Sequence, residues 1–437
     1  MAKKKAQFLT AAVLISALWS VSVLSSWASS AQEHKFAGRT DGESPMGTLV
    51  SDGAGNFYGT TPNGGSTGSF GTVFKWSRSQ SGQWIESVIY SFMNGADGEY
   101  PGGLLALDSS GNLYGVAAHG TLGNGLVWKL SPNTNGTWSE TTVYNFQNGT
   151  DGSVPTWGIT SDSSGNLYGT TAFGGGGCSS GMCGGTVFKL TPGENGQWTF
   201  TTVYAFQSGT DGWDPNPVIA DVLGNIYGTT GRGGDLQGEC GIGNQGCGTV
   251  YEITSSLAGG WIKTTLYMFD LGADGGYPSS QLAFDNIGNL YGETFYGGSL
   301  TCANSGCGVI FKLSPEGTGT WTFSVAHTFN GVNGALGQLP SGGLTLDRSG
   351  NFYGTTQAGG KSTFCTGGCG TIFELSPNAN GEFSFRLLVS FNGYDGWAPA
   401  GAVTLDTSGV FYGTTYDGGN LKCNPPLGCG VVFEATP

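Results

Sequence analysis

Six aspartates recur at one register along the chain: Asp41, Asp97, Asp151, Asp211, Asp274 and Asp395. Each is followed by Gly and, four residues on, by Pro. The remaining unit is read with Asn333 in this place. Tyr100, Trp157, Trp213, Tyr277 and Trp397 stand close behind them. Two chemistries are open to such a set. In the first, each Asp accepts hydrogen bonds from its own turn and Pro stiffens the chain that follows, a need that recurs in every repeat. In the second, the carboxylates converge and hold a hard cation such as calcium, while the aromatic rings stack on the apolar faces of sugars.

Residues that break the repeat are the other candidates. Glu293 replaces the Thr found at Thr60, Thr170, Thr229, Thr355 and Thr414, and Arg232 stands in a stretch otherwise small and polar. A carboxylate inside a strand costs desolvation unless it has a partner. Glu293 is either a site residue or a paired or edge-exposed substitution, and the second is expected. Of the three His, His34 and His327 occupy a register held elsewhere by Tyr90, Tyr144, Tyr204 and Tyr267, so packing is expected of them. His119 lies just after a strand. There is no H-E-x-x-H, nucleophile elbow or P-loop. A glycosidase needs two carboxylates at a set separation, which the sequence does not display.

The elements that must position these residues are read from an internal repeat. Gly-Asn-apolar-Tyr-Gly recurs with its Tyr at Tyr58, Tyr114, Tyr168, Tyr227, Tyr291, Tyr353 and Tyr412, the last copy carrying Val410 for Asn. Each copy begins in a D-x-x-G turn: Asp52, Asp108, Asp162, Asp221, Asp285, Asp347 and Asp406. Each unit reads as four strands. Strand a is alternating and apolar, as from Gly103 to Asp108. Strand b is Asn-Leu-Tyr-Gly. Strand c is Gly-Thr-Val-Phe-Lys, and strand d runs from a Gly-x-Trp turn through Val-Tyr-x-Phe. Period-two alternation bounded by Gly and Pro supports strands. The seventh copy stops after strand c, while His34-Lys35-Phe36 matches the strand-d segment Tyr90-Ser91-Phe92. The expected fold is therefore an all-β, seven-bladed β-propeller with four-stranded blades, closed by the N-terminal strand completing the last blade.

The repeats G-N-L-Y-G-T-T, G-T-V-F-K-L and Y-x-F-x-x-G-x-D-G-x-x-P resemble the GloVer tandem-repeat family of secreted bacterial proteins over nearly all of residues 34–437. The resemblance brings no established activity and no catalytic residue. Many relatives carry a carboxyl-terminal sorting or anchoring segment. This sequence ends at Pro437 in the last blade, and anchoring by that route is not expected.

The ten Cys form five local pairs between strands b and c: Cys178/Cys183, Cys240/Cys247, Cys302/Cys307, Cys365/Cys369 and Cys423/Cys429. Even count, local pairing and a secretory leader argue for disulfides. Thiolate metal sites would need two pairs from different blades to meet, so no metal site is expected.

Lys3, Lys4 and Lys5 followed by an apolar run from Phe8 to Leu24 and small residues at Ser29, Ser30 and Ala31 have the layout of a cleaved signal peptide. Residues 1–31 are assigned to it, and 32–437 to a single propeller domain. No second apolar stretch has membrane length. The formal net charge of −14 becomes −17 without the leader, which carries three Lys and no acid. Such a chain repels nucleic acid and anionic lipid. Gly makes up 82 of 437 residues and charged residues only 11%, as turn-rich sheets with sandwiched faces require.

Loops d–a and b–c share one face of a propeller, and loops carry function on a rigid scaffold. The expectation is a secreted, extracellular or periplasmic monomer. It acts as a non-enzymatic binding module that takes carbohydrate or another extracellular protein on that face, with no cofactor beyond the calcium option. A glycan-active hydrolase or lyase, and a structural envelope protein, are the alternatives.

Overall fold

Strands b and c of every repeat are dominated by apolar, Gly and Thr residues, with one Lys or Glu in each strand c, and residues on both faces of them are buried. Such strands need a layer on either side. The computed structural model supplies it by packing seven antiparallel blades face to face around one axis, a seven-bladed propeller. It describes residues 30–436, apart from positions 67, 177–183, 237–239, 241–244, 300, 301, 303, 304, 318, 332–335 and 379. Strand order runs a-b-c-d from the axis outward, as in Met46–Ser51, Asn56–Thr61, Thr72–Arg78 and Trp84–Ser91 of the first blade. No α-helix occurs among the described residues, and none there could cross a membrane.

The expected closure is present. Ser30–Lys35 pairs antiparallel with Val431–Ala435, strand c of the last blade. Cleavage after Ala31 would leave Gln32–Lys35 in this ladder. Phe36 follows, fully buried against Phe74 of the first blade with ring centroids 5.2 Å apart. The Arg78 guanidinium donates to Glu434 at 2.7 Å across the same junction, and the Trp84 indole N–H donates to that carboxylate too.

The core is not one mass but seven, each lying between two neighbouring blades. Tyr114, Val127 and Phe146 of the second blade meet Leu167, Phe188 and Leu190 of the third. The cluster containing Phe36, Trp76, Tyr412 and Val432 joins the last blade to the first. Two glycine positions explain much of the composition. The Gly after the repeat Tyr lies under the strand-c aromatic: a Cβ on Gly59 would come within 2.6 Å of the Phe74 ring, and one on Gly115 within 2.3 Å of Trp128. The Gly opening strand c lies under the next blade's Pro: a Cβ on Gly71 would be 2.4 Å from the Pro101 ring. That contact recurs at all seven blade junctions, ending with Gly430 under Pro45.

The D-x-x-G turn behaves as its residues predict. In the second blade, Asp108 accepts from the Ser110 and Asn112 backbone N–H groups, the Asn112 side chain and the Tyr114 hydroxyl, all within 2.7–3.0 Å. Burial pushes its carboxyl up, but these donors outweigh it and hold Asp108 below the usual carboxylate range.

Candidate functional site

The inner strand shapes the axis. Between Pro101, opposite Ala117, and Ala106, opposite Tyr114, five steps along strand a face three along strand b. The surplus bulges towards the axis. Pro278 to Ala283 does the same in blade five, as does Pro340 to Thr345 in blade six. Blade four is shorter by one residue, with four steps from Pro215 to Ile219 against three. The residue before each of these Pro is held left-handed, with φ between 52° and 60° from Ser44 to Ala398. Such conformations cost on the order of 1 kcal/mol in a non-Gly residue. Here each turns its N–H onto a carbonyl of the preceding blade, as Tyr100 does to Phe70 at 3.0 Å and Tyr277 to Cys247 at 2.7 Å.

These bulges enclose an axial cavity of about 350 Å³ to which all seven blades contribute. Its wall is Gly47 and Thr48, Gly103 and Leu104, Thr156 and Trp157, Pro217, Ser279 to Leu282, Ser341 to Leu344, and Ala400 to Ala402, with Tyr100 at the edge. Tyr100 is the sole titratable side chain among these lining residues. Trp157 holds the place that is Gly47, Gly103, Pro217, Ser280, Gly342 or Gly401 in the other blades. It is the bulge residue that puts an indole on the wall, and it remains 37% exposed. Gln281 donates to the Val218 carbonyl at 2.9 Å, and Ser341 accepts from Gln357 at 2.8 Å. The buried hydroxyls of Ser279 and Ser280 have no hydrogen-bond partner.

Glu293 stands directly behind that wall. Its Thr counterparts reach across to the next blade's bulge, as Thr60 donates to the Gly102 carbonyl at 2.9 Å and Thr355 to Gly401 at 3.0 Å. Glu293 inverts the polarity and accepts the Gly343 N–H on Oε2 at 2.8 Å. It is 1% exposed, and its Oε1 has no partner. Burial pushes the carboxyl up to about 7, against the Gly343 N–H and the neighbouring Ser280 hydroxyl, which favour the ionised form. The residue is neither paired with a cation nor edge-exposed.

The six aspartates lie away from this cavity, each serving its own d–a loop. Asp97 accepts from the Tyr90 hydroxyl at 3.0 Å and the Met93 N–H at 2.9 Å. Asp151 does so from Tyr144 and Gln147, Asp211 from Tyr204 and Gln207, and Asp274 from Tyr267 and the Asp270 N–H. Asp41 takes the Ala37 N–H at 2.8 Å and Asp395 the Asn392 N–H at 2.7 Å. Among the described residues no group of three or more His, Cys, Asp or Glu could hold a metal ion. The sixth register needs correcting. Counting back from Pro340 puts Leu336 in the Asp position, while Asn333 lies outside the described residues. That blade has also exchanged its Tyr for His327, which stacks on Phe385 at 4.3 Å and is pushed by burial down to about 4.

The remaining aromatics sit where strand a starts, each beside the end of strand b. Trp213 lies under the Arg232 guanidinium at 4.8 Å, Tyr277 meets Tyr296 edge-on at 5.8 Å, and Tyr100 meets His119 at 5.8 Å. Trp397 packs on the cluster between blades six and seven. Of the sequence candidates, the cavity unites Tyr100 and Trp157, with Glu293 behind it. Ser279, Ser280, Gln281 and Ser341 were not singled out from sequence. Their signal was P-S-S-Q-L where the second repeat has P-G-G-L. Four disulfides join Cys240 to Cys247, Cys302 to Cys307, Cys365 to Cys369 and Cys423 to Cys429. Cys178 and Cys183 lie outside the described residues.

Comparison with known proteins gives one family and one fold. The sequence model of the Gloeobacter/Verrucomicrobia repeat matches residues 24–183, 139–338 and 184–424. A search of the curated proteins finds no match. Among solved structures, a polysaccharide lyase of the ulvan lyase type is similar at 11% identity and a TM-score of 0.51, covering 83% of this chain and 88% of its own. The same type of enzyme bound to a glucuronate–sulfated rhamnose fragment scores 0.50 at 11% identity over the same spans. A candidate gluconolactonase aligns at 14% identity and 0.40, over 82% of this chain and 94% of its own. At such identities the likeness extends to the fold alone.

Proposed function

The chain belongs to the Gloeobacter/Verrucomicrobia repeat family, and from that premise we propose that it is a secreted, non-enzymatic binding module that takes a carbohydrate in its axial cavity. One observation carries this reading. At a ring position that is Gly, Ser or Pro in the other six blades, Trp157 presents an indole to a neutral cavity edged by Tyr100 and lined with Ser, Thr and Gln among Gly, Pro, Ala and Leu. An aromatic face accepts the C–H face of a sugar ring, and neutral hydroxyls and amides bond its hydroxyls. Short-range disulfides in four b–c loops, with the leader-like terminus, support an oxidising compartment.

The similar lyases act on polysaccharide, which favours sugar as the ligand class and raises lyase chemistry as a second reading. Lyase or hydrolase chemistry needs a positioned acid and base. Tyr100 is the one titratable side chain on this cavity wall, and binding fits that wall better than turnover.

The test is a panel of neutral and acidic polysaccharides screened for binding and for release of reducing or unsaturated ends. Expected is binding without turnover, reduced at least tenfold in W157A. Turnover would move the assignment to the enzyme. Equal binding by W157A would remove the cavity as the site.

A further inference from the structure

Three buried polar atoms without partners gather on one side of the cavity: Ser279 Oγ and Ser280 Oγ on the wall of blade five, and Glu293 Oε1 behind them. A buried polar group left unsatisfied costs on the order of 1–3 kcal/mol, so a cluster of them marks a place built for an occupant. The equivalent positions elsewhere are quieter. Thr60, Thr355 and Thr414 all donate to bulge carbonyls, and the second blade carries apolar Val116 there. Thr170 also lacks a partner, but it faces the shortened bulge of blade four, with no carboxyl beside it. Blade five is thus the one that combines two unsatisfied wall hydroxyls with a buried carboxyl.

Resting on the carbohydrate reading above, we propose that blade five is the polar pole of the site and sets its specificity: Ser279 and Ser280 receive the hydroxyls of a neutral sugar residue whose apolar face lies on Trp157, and Glu293 is the positioning residue that orients Ser280. Ser280 and Trp157 hold the same place in their repeats, two blades apart on one ring of wall residues. A cavity of about 350 Å³ admits one or two sugar rings between them. An ionised Glu293 would draw the Ser280 hydrogen toward itself and leave the serine oxygen to accept from the ligand, whereas a protonated Glu293 would leave that hydrogen to be offered to the cavity. The groups that bear on the Glu293 carboxyl are the Gly343 N–H of blade six and Ser280 of its own blade, with no charged side chain among them. The wall's preference for a donating or an accepting sugar hydroxyl therefore follows one proton.

The experiment uses the mature protein and linear hexasaccharides of glucose (β-1,4 and α-1,4), xylose and mannose, titrated by calorimetry at pH 5.5 and 8.5. The variants are W157A, S279A/S280A, E293Q and E293T, the last restoring the residue of five other repeats. Expected is binding of at least one hexasaccharide that weakens tenfold or more in S279A/S280A and E293T, with melting temperatures at or above the parent's. The parent's affinity shifts at least threefold between the two pH values, and E293Q removes the shift. If a sugar binds through Trp157 while S279A/S280A and E293T stay within twofold of the parent, this inference falls and the carbohydrate reading stands. If no hexasaccharide binds the parent, this inference falls, and the carbohydrate reading falls with it only when the acidic polysaccharides of its own panel fail to bind as well.

Discussion

The outer seams between blades are built at one register but in different chemistries. At three seams, a ring from one strand d lies flat on a Phe of the next: Tyr144 on Phe200 at 4.0 Å, Tyr267 on Phe323 at 3.8 Å, and His327 on Phe385 at 4.3 Å. At two adjacent seams the Phe position is a carboxylate. Glu86 faces His34 at 3.8 Å, and Glu140 lies beside Tyr90 and Asp97. Burial pushes both Glu up to about 7. The Asp41 charge adds to the rise at Glu86, with His34 opposing, and the Asp97 charge adds at Glu140. Between two of the stacked seams, at the junction of blades three and four, Lys263 reaches over Tyr204 and donates to Asp211 at 2.9 Å. The two Tyr–Phe stacks carry no group that titrates near neutral pH, the His327 seam weakens as pH falls from about 6.5 towards 4, and the acidic seams weaken as pH rises through about 7. The Asp–Tyr pair explains why the difference is tolerated: it is satisfied within its own loop, so the facing residue is free to vary.

Breaking the closure gives the largest effect. Phe36→Ala removes a fully buried ring at the junction of last and first blades, and is expected to cost about 3–5 kcal/mol in denaturant unfolding. A loss below 1 kcal/mol would mean that the N-terminal strand does not hold the ring. Next is Lys263→Ala, which removes a side chain only 3% exposed and leaves Asp211 without its cation; roughly 3 kcal/mol is expected, and a neutral result would make that seam no different from a stacked one.

Converting acidic seams into stacked ones sharpens the contrast. Glu86→Phe and Glu140→Phe are expected to stabilise by about 1 kcal/mol each through stacking, with a larger gain at pH 8 than at pH 5. The sign follows from linkage. Both carboxyls have folded values raised above the ordinary one, so their contribution is full below about pH 4.5 and is lost as pH rises through about 7. Thermal melts at both pH values check it, and an equal gain at each would remove the titration argument. The smallest effect belongs to the turns. Asp108 is held below its ordinary value, so its contribution is present above about pH 4 and lost as pH falls through its folded value. Asp108→Ala should cost about 1 kcal/mol at pH 7 and progressively less in melts taken at lower pH, below about pH 4.

Much of the fold was legible because each blade imposes one set of local needs. The D-x-x-G turn, the Gly beneath the strand-c ring and the truncated last copy are read directly from residues within some sixty positions of one another. The acids in Asp-Gly-x-x-Pro were legible as turn residues, and their Tyr partners sit seven positions upstream. The left-handed residue before each Pro was not legible, because its cause is a carbonyl of the neighbouring blade. Ser279 and Ser280 escaped notice because serine beside proline looks like any loop.

The amino-acid sequence by itself determined the number of blades, their strand order, the closure by residues before the first full repeat and the pairing of the eight described cysteines. These follow from short-range spacing, and spacing is conserved in a linear chain. Tertiary structure alone decided where the candidate site lies. The bulge of each inner strand turns residues sixty or more positions apart into neighbours on one wall, so Trp157 and Ser280 meet on one cavity, with Glu293 behind it, only when the ring closes. It also decided which carboxylates matter, since burial and the absence of a partner are properties of packing and not of the letter in the sequence.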